Sequence, residues 1–258
     1  LNSVLYLNYL FCKKNMTEDF VFITASFSIF YDVLMKIDDI MVVNKPSGLL
    51  SVPGRLKEHH DSILSRIKSS YPDAFAVHRL DMGTSGVLVV GLNKNAVSNL
   101  GKQFMGREVK KIYIAIVDGI IEKSGSVSLP LILDINNRPY QKVDFEVGKP
   151  ALTFYEPLCH DGKTTLVRLF PLTGRSHQLR VHLKEIGHPI LGDHLYAPPE
   201  IRDASPHLYL HAGCLSFCHP VSGNRMEFCA PPPFDIPSEF MPNNSWFELI
   251  PKEIDFPA

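Results

Sequence analysis

His78-Arg79-Leu80-Asp81-Met82-Gly83-Thr84-Ser85-Gly86 runs directly into the apolar segment Val87-Leu88-Val89-Val90. The chain passes through a short loop carrying an acid and a base, makes a Thr-Ser-Gly turn, and enters a run with the composition of a buried strand. Functional side chains favour loops of this kind, because a rigid strand holds them in place. This stretch sets the expectation of a sheet protein whose chemistry sits at the mouth of one central strand.

Upstream, Tyr31–Ile37 and Ile40–Asn44 read as a strand pair around Asp38-Asp39. Lys45-Pro46-Ser47-Gly48 and Pro53-Gly54 are turns. Asp61 is the expected N-cap of a helix with Ile63, Leu64 and Ile67 as its apolar stripe, ended by Tyr71-Pro72. Downstream, Asn93 or Asn95 caps a helix with Val97, Leu100 and Phe104 at helical spacing. Lys110–Val117 is β-branched and bounded by Asp118-Gly119, so it reads as a strand, and Ser126–Leu133 as another. Asn136–Lys142 is a polar loop. Leu152–Leu158 and Thr164–Leu169 flank His160-Asp161-Gly162-Lys163, a strong hairpin signal. A helix is expected from the Ser176 cap to the Gly187 stop, with Leu179, Leu183 and Ile186 on its apolar side. Leu208–Cys218 and Arg225–Cys229 form a last strand pair. Many strands with a few helices imply an α+β protein: one domain on a mixed, mainly antiparallel β-sheet flanked by helices and loops. The expected boundaries are an N-terminal extension over residues 1–30, the domain over 31–235, and a Pro-containing tail over 236–258.

The composition is that of a globular chain: 45% apolar, 21% charged, net charge −1 over 258 residues. That argues against a surface coated in positive charge but leaves local basic clusters open. Cysteines 12, 159, 214, 218 and 229 are odd in number and unpatterned, as in a reduced cytoplasmic protein. No apolar run is long enough to span a bilayer, so no membrane partner is expected. Leu1–Asn15 runs from apolar to basic, opposite to a secretory signal, and lacks an initial Met; it is expected to be an extension without a role.

For Asp81 two readings stand: a surface carboxylate paired weakly with a neighbouring base, or a carboxylate beside substrate, which needs an opposite charge within about 4–6 Å. Arg180 supplies such a charge, or else belongs to a solvated basic helix face with His177 and Lys184. Tyr113 is either a core residue or an exposed ring face. Cys214, Cys218, Cys229, His211 and His219 show no paired metal spacing, and no metal is expected. No phosphate loop or dinucleotide fingerprint is present, so no cofactor is expected.

The stretch His-Arg-Leu-Asp-x-x-Thr-Ser-Gly resembles the catalytic motif of the RluA-type pseudouridine synthases. Further runs follow in family order: Val42–Leu49, Lys111-Ile112-Tyr113, Asn137-Arg138-Pro139, Pro171–His182, Gly187–Asp193 and Leu210-His211-Ala212. Ser51–Arg55 and Arg138–Val143 are most similar to the dual-specificity branch. The resemblance spans about Asp38 to Phe234. The roughly forty residues before it fall short of the usual ~50-residue domain minimum, so an S4-type RNA-binding domain, common among relatives, is not expected there.

The resemblance implies that Asp81 is the nucleophile, that Arg180 forms its salt bridge, and that Tyr113 stacks on the target uracil and is a candidate to help remove the C5 proton. Arg79 fills the place left by the extruded base. The candidate RNA contacts are Arg79, Lys111, Arg138, Lys142, Arg175 and His177, with Lys110 and Lys184 as further phosphate partners. The implied reaction breaks C1′–N1 of uridine, turns the uracil and rejoins it through C5, by attack at C1′ or by a glycal route. The implied substrates are a tRNA anticodon stem-loop and a 23S rRNA hairpin, acted on by a monomer without a protein partner. Two other classes remain: a non-catalytic RNA-binding member, and a glycoside hydrolase, which would need a second placed carboxylate.

Overall fold

The computed structural model describes residues 31–234 and 236. The expected extension over 1–30, and the tail from 237 onward, lie outside the described residues. Strands β1 (Asp32–Lys36) and β2 (Ile40–Lys45) form the expected hairpin. Helix α1 (Ile63–Lys68) buries Ile63, Leu64 and Ile67. Its cap is Ser62, not Asp61: Ser62 and Ser65 close a reciprocal capping box, while Asp61 is drawn off into an ion pair with Arg66. After the short β3 (Phe75–Ala76) comes β4 (Ser85–Gly91), in which all seven residues are buried.

Strand β4 decides the architecture because it has no solvent face. Val87 and Val89 point into one core with Ala96 and Leu100 of α2 (Lys94–Met105). Leu88 and Val90 point into a second core with the α1 stripe. Asn93 caps α2 through Ala96 N–H.

The chain then runs through β5 (Lys110–Asp118), β6 (Gly125–Ser128), β7 (Leu131–Leu133), β8 (Gln141–Val143), β9 (Leu152–His160) and β10 (Thr164–Pro171). Helices α3 (Gln178–Glu185) and α4 (Pro199–Arg202) follow, then β11 (Leu210–Cys218) and β12 (Arg225–Cys229). The main sheet has the order β1-β2-β4-β11-β5-β10-β9-β6, with β12 on β11 and β3 on β4; β7 and β8 form a separate pair. The named strand pairings are antiparallel except β11 with β4, so the sheet is mixed and mainly antiparallel, an α+β fold. The strand expected over Ser126–Leu133 is split in two. Pro130 lies at the break, where a residue without N–H cannot extend a ladder.

The parallel seam explains the end of the opening motif. Ser85 and Gly86 lie opposite His211 and Ala212. A Cβ at Gly86, whose φ is +116°, would sit 2.3 Å from the Ala212 carbonyl oxygen. Only glycine permits this approach. Burial lowers the His211 pKa to about 4, so its ring is neutral. His211 Nε2 donates to the Ala230 carbonyl (2.9 Å), and Nδ1 accepts from the Ser85 hydroxyl (2.8 Å). His211 also faces Ile114 of β5, so this register carries the loop before Ser85 to the level of Tyr113.

Cys214 and Cys229 are joined across β11 and β12 in a disulfide, which corrects the expectation of unpaired thiols; Cys218 is a free thiol. Among the described residues, no helix is long and apolar enough to cross a membrane.

Candidate active site

Alternation along β5 sorts its side chains. Ile112, Ile114 and Ile116 enter one core, while Tyr113, Ala115 and Val117 face α3 with its Leu179 and Leu183. Tyr113 therefore meets the helix carrying Arg180. Helix α3 begins one residue later than expected. Ser176 does not cap it, because its hydroxyl accepts a hydrogen bond from Arg79 Nη2 (2.9 Å). His177 occupies the cap position in a left-handed conformation, φ 55°. Gln178 fixes the entry loop: its Oε1 accepts from the Thr173 hydroxyl and Arg175 N–H, and its Nε2 donates to Leu152 O and Thr153 Oγ1. All four hydrogen-bonding positions of that buried amide are filled.

One narrow pocket of about 90 Å³ gathers Arg79, Asp81, Lys111, Tyr113, Arg175, His177 and Arg180. It shares Arg79, Lys111, Tyr113 and Arg175 with a wider cleft of about 680 Å³ lined also by Phe104, Met105 and Arg107. Arg138 and Lys142 do not line it: Arg138 lies in the loop joining β7 to β8, and Lys142, on β8, reaches Asp144 at 3.9 Å. Lys184 pairs with Glu185. Among the described residues, no group of three or more His, Cys, Asp or Glu side chains is placed to hold a metal ion.

Among the described residues, a basic side chain lies within 4 Å of each Asp81 oxygen. Arg180 Nη1 lies 3.8 Å from Oδ2, and His177 Nε2 lies 3.9 Å from Oδ1. Both lie beyond direct hydrogen-bond reach, so the carboxylate is oriented without being saturated. Arg180 is not on a solvated face. It is 7% exposed, and its principal partner is Asp193, 1% exposed, which takes Nε (2.8 Å) and Nη2 in a bidentate grip. Burial opposes the charge on Arg180, and the Asp193 contact more than offsets it. Asp193 Oδ1 also accepts Leu195 N–H and Tyr196 N–H, which places the Tyr196 ring 5.1 Å from the guanidinium.

Tyr113 has its pKa raised by burial and then by the charge of Asp81, so at neutral pH it is a phenol. Burial lowers Lys111 to about 8, which leaves it mostly cationic at pH 7. His78 is not a base beside Asp81. Its Nε2 accepts Val89 N–H (3.0 Å) and its ring stacks on Phe104; burial, then the charge of Lys111, lowers it to about 3. Arg79 is tied to Ser176 across the pocket, so it is not the local partner of Asp81.

The loop carrying Asp81 is clamped from behind. Ser51 Oγ accepts Leu80 N–H and donates to Leu80 O. Ser47 Oγ donates to Gly83 O, and Lys45 Nζ donates to the carbonyls of Pro46, Leu49 and Met82. Lys45 is fully buried, which lowers its pKa to about 7 against the opposing pull of Asp81. The unfolded chain therefore holds the extra proton from about pH 7 up to the ordinary lysine value of 10.5, and stability rises with pH across that window. Urea unfolding of Lys45→Met is expected to show a flatter rise over this range; a slope equal to that of the unchanged protein would contradict the assignment.

Sequence reasoning missed Asp193, Tyr196 and Lys45 as parts of the site. Asp193 and Lys45 stand in runs quoted for the family likeness, but nothing local signals their partners. A family model described as RNA pseudouridylate synthase matches residues 39–185. The dual-specificity RNA pseudouridine synthase RluA of Escherichia coli strain K12 is 57% identical over 204 residues, 78% of this chain and 93% of the relative. Its namesake from Pasteurella multocida is 51% identical over 207 residues, 80% of this chain and 94% of the relative. The solved structure of human RNA pseudouridylate synthase domain containing 1 superposes with a TM-score of 0.68 at 31% identity, covering 84% of this chain and 89% of that one.

Proposed function

The chain belongs to the RNA pseudouridylate synthase family and is an isomerase of uridine in RNA, and from that premise we propose that Asp81 is its nucleophile. The observation that carries this reading is the pair of contacts to Asp81, with Arg180 on one oxygen and His177 on the other, in a pocket that Tyr113 also lines. Positive charge builds at C1′ as the C1′–N1 bond loosens, so a carboxylate there serves as nucleophile or electrostatic partner. Asp81 bonds to C1′ as C1′–N1 breaks, and the freed uracil turns within the pocket. C5 displaces the carboxylate from C1′, the C5 proton passes to water and N1 takes up a proton from water. Substrate and product have the same composition, so no cofactor is required.

Tyr113 supplies a ring face for the uracil rather than an anion, because its phenol stays protonated at neutral pH. Arg79, Lys111 and Arg175 at the pocket serve the phosphates on either side of the target. Arg138 and Lys142 reach RNA further from the reacting base. The substrates in this reading are a tRNA anticodon stem-loop and a 23S rRNA hairpin, modified in the cytoplasm by a monomer. RNA labelled with tritium at C5 of uridine is expected to release label to water with either hairpin. Release from one hairpin alone would reduce the reading to a single target, and none from either would overturn both. Tyr113→Leu removes stacking worth roughly 1–3 kcal/mol. Its conversion rate is expected to fall accordingly, whereas Tyr113→Phe keeps the ring face and loses less; equal losses would contradict the stacking role.

A further inference from the structure

We propose that His177 is a positioning residue for Asp81, set in one tautomer by the Tyr196 hydroxyl, rather than a contact to RNA phosphate. The inference rests on Asp81 being the nucleophile and adds what holds its carboxylate in one rotation.

The Tyr196 oxygen lies 2.8 Å from the backbone N–H of Gln141 and 2.6 Å from His177 Nδ1. A backbone N–H only donates, so Tyr196 accepts there and has its own proton to give. Burial raises the Tyr196 pKa to about 12, which keeps that proton in place. The hydroxyl therefore donates to His177 Nδ1. Burial lowers the His177 pKa, against the opposing charge of Asp81, so the ring is neutral and its one proton sits on Nε2. That nitrogen faces Asp81 Oδ1 at 3.9 Å.

Nδ1 is thus committed to Tyr196, Nε2 faces the Asp81 carboxylate, and the side chain is only 13% exposed, so the ring is turned toward Asp81 rather than outward to a phosphate. With His177 on one oxygen and Arg180 on the other, the carboxylate cannot rotate out of this plane without drawing away from both neighbours. Asp193 supports both arms: it grips Arg180 and accepts the backbone N–H of Tyr196.

Two substitutions separate this role from a structural one. The amide nitrogen of His177→Gln reaches about as far as Nε2, whereas that of His177→Asn ends near the Nδ1 position. The left-handed backbone of residue 177, at φ 55°, itself favours Asn. A purely structural role therefore ranks Asn above Gln, and a role on Asp81 ranks Gln above Asn. Single-turnover tritium release is expected to be about 10- to 100-fold faster for His177→Gln than for His177→Asn, with RNA affinity close to native in both, as for an interaction made in the transition state. Tyr196→Phe keeps the ring beside Arg180 and frees the tautomer, so it should lower the rate without weakening RNA binding. An Asn variant equal to or faster than Gln, a Tyr196→Phe rate equal to native, or affinity lost in step with rate would overturn the inference. Asp81→Asn in the same assay keeps the two readings apart: if it is active the nucleophile assignment fails, and if it is inactive while Asn matches Gln only the role of His177 fails.

Discussion

Asp81→Asn is expected to abolish uridine isomerisation while leaving RNA affinity nearly unchanged. The amide is close to isosteric and can remain near His177 and Arg180, 3.9 and 3.8 Å from the native oxygens. It removes the negative charge and the proposed nucleophilic oxygen at the point where, in this reading, C1′ becomes electron-poor. Loss of a covalent nucleophile commonly lowers rates by about 10⁴-fold or more. The proposed phosphate partners Arg79, Lys111 and Arg175 are untouched, so binding has no reason to fail. Tritium release and equilibrium binding measured on one preparation check both halves. Release near the native rate removes Asp81 from the chemistry; a parallel collapse of binding makes it an RNA contact.

Asp193→Asn is expected to cost both stability and activity, although Asp193 does not line the pocket. The substitution leaves the buried Arg180 guanidinium without its bidentate carboxylate. Breaking a buried pair by removing one partner typically destabilises by about 3–5 kcal/mol. For a chain of this size that corresponds to a melting temperature lower by roughly ten degrees or more. Arg180 would then turn to Asp81, its remaining acidic neighbour among the described residues, and close a direct ion pair over the oxygen proposed to attack. Activity measured well below the variant's melting temperature should therefore still be low. A variant that melts like the native protein would show that Asp193 does not carry the guanidinium. One that melts early but turns over at the native rate would show that Arg180's placement is indifferent to the reaction.

How much of this was legible depended on whether the signal was local. The hairpin at Asp161-Gly162 could be read because backbone geometry restricts the residue there, whereas Ser85 and Gly86, expected in a turn, lie inside β4. The Asp161 carboxylate accepts Lys163 and Thr164 N–H within its own turn, as such a turn demands. The opening motif was legible because loop and strand are adjacent in sequence. Arg180 was open to misreading because amphipathic periodicity assigns a basic residue off the stripe to solvent. That rule fails in α3, where Gln178, Leu179, Arg180, Val181, His182 and Leu183 are all buried. The polar ones are instead matched to Thr153, Leu129, Leu152 and Asp193, partners on other elements with no fixed sequence offset. The cap of α3 was misplaced for a related reason. Ser176 has the right chemistry, but a guanidinium 97 positions away in sequence takes its hydroxyl. The same bond ties the two motifs together across the pocket.

The most direct measurement is a crystal structure of the Asp81→Asn variant bound to a uridine-containing RNA hairpin. The expected result is the target uracil lying against the Tyr113 ring, with the side chain of residue 81 about 3–3.5 Å from C1′, the separation of a near-attack arrangement. A uridine seated elsewhere, or a residue-81 side chain turned away from the ribose, would contradict the assignment of Asp81 as nucleophile.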